Sequence, residues 1–122
     1  MRGSGRRSNR EGSTIATERD HRMAISYTVK DGRLEACLSE DSSWKLFNLI
    51  AATITEQFGG RWVMSADGLD QRYWDLKISD VVLTLHLEHY LGIFLFPAPD
   101  PSDVEAANSL VEAIGRYLDC VG

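Results

Sequence analysis

The sequence predicts an α+β domain: an antiparallel sheet of five to six strands with two helices packed on one face, in the order ββ-α-ββββ-α. Three observations predict it. Two stretches, about 42–58 and 101–121, repeat their apolar residues at the ~3.6-residue helical period, whereas the segments around them alternate with the two-residue period of strands. Asp31-Gly32 and Ser79-Asp80 stand between alternating segments, at the spacing of tight hairpin turns. A two-residue turn at Ser79-Asp80 also pairs Ile78 with Val81, Leu76 with Leu83 and Trp74 with Leu85, all apolar. The other face then pairs Lys77 with Val82, Asp75 with Thr84 and Tyr73 with His86.

The elements follow in order. Met23, Ile25, Tyr27 and Val29 alternate with small or polar residues, and Leu34, Ala36 and Leu38 alternate in the return strand after the Asp31-Gly32 turn. In the first helix Trp44, Phe47, Ala51, Ile54 and Phe58 share a face that Leu46, Leu49 and Ile50 widen. Ser39, Asp41 or Ser42 can cap its start, and Gly59-Gly60 ends it. "RWVMS" is a strand, "DGLDQ" a loop, and "YWDLKI" and "VVLTLHL" form the hairpin described above. "YLGIFLF" is the last strand. The second helix takes Asp100 as N-cap and Pro101 at its first position, with Val104, Ala107, Val111, Ile114, Leu118 and Val121 as its buried stripe.

Composition narrows the functional classes. The chain has 122 residues, enough for one domain with a single core. Residues 1–22 carry six Arg against Glu11, Glu18 and Asp20, a net of +3. The remaining 100 residues carry seven Lys/Arg and fifteen Asp/Glu, a net of −8, which together give the −5 of the whole chain. The Gly, Ser and Arg-rich 1–22 segment reads as a disordered basic tail, or as a leader ahead of a true start at Met23, and residues 23–122 as the single domain. An acidic body argues against nucleic acid as a direct ligand and suits a basic protein partner. No apolar run reaches the ~20 residues of a membrane span, and no secretory signal is recognisable, so a cytoplasmic location without membrane attachment is expected. Cys37 and Cys120 are expected to be buried free thiols.

"TLHLEHYLG" holds His86, Glu88 and His89, the densest group of potential metal ligands. On a regular strand His86 and Glu88 share a face and His89 falls at the turn. The set therefore lacks the three or four converging ligands that zinc needs, and no metal or other cofactor is expected. Motifs for serine hydrolysis, phosphate binding and dinucleotide binding are absent from the sequence. Cys37 with His86 is a conceivable nucleophile–base pair without a supporting motif. The mixed sheet face is more suggestive. Asp70, Tyr73, Asp75, Thr84, His86, Glu88 and Tyr90 combine aromatic anchors with carboxylates, the composition that clamps a basic protein partner.

The stretch from Trp44 to Phe96, with "FGGRW", "DGLDQRYWDLKISD" and "VVLTLHLEHYLGIFLF", resembles small bacterial immunity proteins encoded beside polymorphic or contact-dependent toxins. The likeness lies in a helix followed by a Tyr-Trp strand, a Leu-His strand and a final strand carrying Gly, and extends over residues 44–118. It implies a non-catalytic protein, monomer or homodimer, that binds a cognate toxin domain and blocks its active site or substrate access; it assigns no individual site residue. A secretion-chaperone-like protein, dimerising through an exposed "LGIFLF" edge and holding an effector, is the alternative expectation. A small enzyme of unknown class is the third.

Overall fold

The structure, a computed structural model, describes residues 25–99 and 101–121. The 1–22 segment, Met23, Ala24 and Asp100 lie outside the described residues. Six strands form one antiparallel sheet: β1 (Ser26–Lys30), β2 (Arg33–Ser39), β3 (Arg61–Asp67), β4 (Gln71–Ile78), β5 (Val81–Glu88) and β6 (Gly92–Pro97). Helix α1 (Trp44–Phe58) follows β2, and helix α2 (Val104–Val121) follows β6. The fold is thus α+β in the expected element order. Spatially the strands run β1-β2-β6-β5-β4-β3, so the N-terminal hairpin joins the sheet through the last strand.

Turn chemistry and pairing explain the hairpins. Asp31 (φ 53°) and Gly32 (φ 78°) both adopt the left-handed conformation, which matches the right-handed twist of the strands they join. The β4–β5 ladder pairs Ile78 with Val81, Leu76 with Leu83 and Trp74 with Leu85 on one face. On the other it pairs Lys77 with Val82, Asp75 with Thr84 and Tyr73 with His86. The apolar face is covered by the helices. Leu76, Leu83, Leu85, Leu87, Ile93 and Leu95 pack there against Phe47, Ile50 and Ile54 of α1 and Val111, Ile114 and Leu118 of α2, all fully buried. Phe58 and Tyr117 meet edge to face, 5.8 Å between centroids, where the two helices touch. Asn108 of α2 clasps the first hairpin. It accepts from Leu34 N (2.8 Å) and donates to Gly32 O (2.9 Å).

The caps correct the expectations. Ser43, not Ser39, Asp41 or Ser42, caps α1: its side chain accepts from Leu46 N at 3.1 Å. Helix α2 starts at Val104, three residues beyond Pro101. Asp103 accepts from Ala106 N at 3.0 Å and so serves as the cap. Leu49 (61% exposed), Val104 and Val121 face solvent, because each helix touches the sheet along one side only. Cys120 is exposed and Cys37 half-buried. Strand β3 runs on to Asp67, which confines the loop before β4 to Gly68, Leu69 and Asp70. Strand β6 is interior, flanked by β2 and β5, so "LGIFLF" offers no free edge.

Candidate functional site

The sheet face away from the helices carries the polar and aromatic alternates of the buried strands. His86 and Tyr73 are cross-strand partners and their rings stack, 4.1 Å between centroids and 12° between planes. Phe96 meets the imidazole edge-on at 6.0 Å and Phe94 lies tilted at 6.1 Å, since β6 pairs with β5 on the other side. Beyond β6, strand β2 contributes Glu35, and β1 contributes Lys30, whose Nζ lies 3.7 Å from the Glu35 carboxylate. Together with Glu88 and Leu91 these side chains line a cleft of about 390 Å³.

The electrostatics of His86 follow from this packing. Its side chain is only 12% exposed; Nε2 is buried and has no hydrogen-bond partner among the described residues, with Glu88 Oε1 3.6 Å away. Burial lowers the His86 pKa below its ordinary value of 6.5, against the opposing pull of Glu88 and Glu35. The imidazole is therefore predominantly neutral near pH 7.

The structure brings Tyr73, Asp75, Thr84, His86 and Glu88 onto this face and separates Asp70 and Tyr90 from its centre. Thr84 is 4% exposed and donates its hydroxyl to Asp75 Oδ1 at 2.7 Å, so this pair is internally satisfied. Asp70 sits in the β3–β4 loop, where its carbonyl accepts from His89 N at 2.8 Å. It lines a second cleft, of about 500 Å³, with Leu69, Gln71 and Tyr73. Tyr73 is the wall common to both clefts. Tyr90 occupies the β5–β6 turn at φ 74°; the residue is 87% exposed and its ring centroid lies 3.9 Å from that of His89. A bulky side chain is strained in that conformation.

Phe94, Phe96, Glu35, Lys30 and Leu91 were not anticipated. The alternation of Phe94 and Phe96 with Ile93 and Leu95 signals that they share a face. Their neighbours depend on β6 lying between β2 and β5, which no local pattern encodes.

A second polar constellation lies on the helix side. The Arg72 guanidinium carbon is 4.3 Å from the Trp44 ring centroid, 4.6 Å from that of Trp74 and 5.0 Å from that of Phe47. Its nitrogens donate to both Asp67 oxygens (3.2 and 3.3 Å) and to Asn48 Oδ1 (2.8 Å), and Trp74 Nε1 donates to Asp67 Oδ1 (2.8 Å). Hydrogen bonds from Arg72 and Trp74 hold the Asp67 carboxyl below its usual range. The side chain of Arg72 is 11% exposed. This cluster is a closed structural knot that ties β3 and β4 to α1.

The arrangement bears on chemistry as follows. Among the described residues no group of three or more His, Cys, Asp or Glu side chains is placed to hold a metal ion. Cys37 and His86 are both cross-strand partners of Phe94, so β6 stands between them and they form no nucleophile–base dyad. Burial also pushes the Cys37 thiol up, away from the reactive thiolate. Among the described residues no helix is long and apolar enough to cross a membrane. Comparison with protein-family models, curated proteins and solved structures finds no match to this chain.

Proposed function

We propose that this protein is a non-catalytic binding module whose open sheet face engages a basic protein partner, in the manner of an immunity protein that neutralises a bacterial toxin domain. One observation carries the reading: an aromatic cleft formed by Tyr73, Phe94 and Phe96 around a neutral His86, flanked by Glu35 and Glu88, on the sheet face opposite the two described helices. Half-buried aromatics beside carboxylates are what a protein hot spot presents, with rings as anchors and charges for register. Leu69 (96% exposed), Tyr90 and Leu91 extend the apolar surface along one end of the sheet. The net of −8 over residues 23–122 gives the field that steers a basic partner. Tyr90 adds a further reason: the turn would be better served by glycine, and the exposed tyrosine does little for the fold.

Co-expression with candidate toxin domains taken from genes adjacent to this one tests the reading. Growth rescue is the expected outcome, with loss of rescue in a folded Tyr73→Ala, Glu88→Lys double variant. Full rescue by that variant shows that another face binds. No rescue by the wild-type chain removes the immunity role.

A further inference from the structure

We propose that the open-face cleft is an arginine subsite, which takes the guanidinium of a single arginine presented by the protein partner. The inference rests on the protein-binding reading above and gives that partner its key residue.

The walls have the required chemistry. Tyr73, Phe94 and Phe96 supply aromatic rings, of which Tyr73 is 37% exposed and the two phenylalanines are half-buried, and cations bind over such faces. Glu35 and Glu88 put two carboxylates at the same opening, and a guanidinium can donate to both. A planar, weakly hydrated guanidinium stacks on rings better than the compact, strongly hydrated ammonium of lysine. The protein already holds one arginine this way. Arg72 lies among Trp44, Phe47 and Trp74, with its hydrogen bonds on Asp67 and Asn48. The open-face cleft repeats the combination of rings and oxygens, and among the described residues no arginine lines it. The cation that lines it among the described residues is Lys30, loosely placed: its side chain is 65% exposed and its Nζ is 3.7 Å from Glu35. An incoming arginine would displace it.

The cleft also has a built-in dependence on pH. Among the described residues, the groups facing His86 are Glu88 on its own strand, Tyr73 and Asp75 on β4, and Glu35 and Lys30 on the hairpin beyond β6. While His86 is neutral, Glu88 is free to serve a ligand. Once protonated, His86 draws Glu88 to itself across 3.6 Å and repels a second cation. Arginine binding therefore weakens as the pH falls through the His86 transition, and bound arginine lowers that transition further.

Titration of the full chain with the tripeptide amide acetyl-Gly-Arg-Gly, followed by NMR, tests the proposal. The expected shifts centre on Tyr73, His86, Phe94 and Phe96, with little response to the citrulline analogue, which keeps the shape and loses the charge, and a weaker one to the lysine analogue. Affinity should fall about tenfold in each of the single variants Glu35→Gln and Glu88→Gln, the loss of one charge-assisted hydrogen bond, and further in the double variant. It should rise about threefold in Lys30→Gln, the removal of one exposed competing cation. The gain in Lys30→Gln cannot come from a damaged fold. Shifts spread over the acidic surface, an equal response to citrulline, or no response at all would overturn the subsite. Arginine binding without rescue by any toxin keeps the subsite and removes the immunity role. Rescue that survives the Glu35→Gln, Glu88→Gln double variant does the reverse.

Discussion

The imidazole of His86 lies flat on the ring of Tyr73, 4.1 Å away, with a buried Nε2 that no hydrogen bond satisfies among the described residues. Burial of a titratable ring in this setting links the fold to pH. The folded pKa of His86 lies below 6.5, so the unfolded chain binds the proton more readily. This contribution to stability is complete above the unfolded value and is lost as the pH drops from about 6.5 towards the folded pKa, below which it stays constant. His86→Phe keeps the stack and removes the proton site. Urea unfolding of the variant should show a flatter stability profile in that interval; an unchanged slope would assign the acid sensitivity to other groups.

Arg72 joins three aromatic rings, Asp67 and Asn48, so its replacement should act on the fold. Arg72→Ala should cost about 2 kcal/mol through lost cation–π contacts and side-chain packing. Arg72→Lys should recover only part of this, because an ammonium cannot make the forked contact with Asp67. Chemical denaturation checks the ranking, and equal stability of the Lys variant and wild type would show that charge alone suffices.

Gly92 closes the β5–β6 turn at φ 125°, and a Cβ there would strike Ser39 O and Glu40 Cα. Gly92→Ala combines backbone strain of about 1–3 kcal/mol with an overlap against main chain that cannot rotate away. The expected result is a loss at or above the upper end of that range. Leu91 and Glu88, which line the cleft on either side of this turn, should also shift in the variant's NMR spectrum.

Ser43→Ala should cost about 1 kcal/mol, since Ser43 alone accepts from Leu46 N at the start of α1. Asp41→Ala and Ser42→Ala should each cost much less. A reversed order in thermal melts would place the cap elsewhere.

Much of the fold was legible in the chain because it is local. Asp-Gly at 31–32 supplies two left-handed residues, and the length of the Ser79-Asp80 turn sets a register that sorts Leu76, Leu83 and Trp74 from Asp75, Thr84 and His86. The helical stripes were legible for the same reason, although which edge of each stripe meets the sheet was not: Leu49 lies outside and Ile50 inside. The caps lie one to four residues from the expected ones because Ser42 and Ser43, or Asp100 and Asp103, offer the same chemistry, and only the helix's docked position chooses between them.

By itself, the sequence determined the element order, the central hairpin and the pairing of Tyr73 with His86. The tertiary structure decided what surrounds that pair. Phe94 comes from β6 and Glu35 from β2, which meet only because β2 pairs with the final strand across a long chain separation. It also decided the Arg72 knot. A bulge between Trp62 and Met64 shifts β3 by one residue and sets Asp67 opposite Arg72; regular pairing would set Asp67 opposite Gln71, on the other face. Both outcomes depend on long-range pairing and on a single unpaired residue, and neither leaves a periodic trace in the sequence.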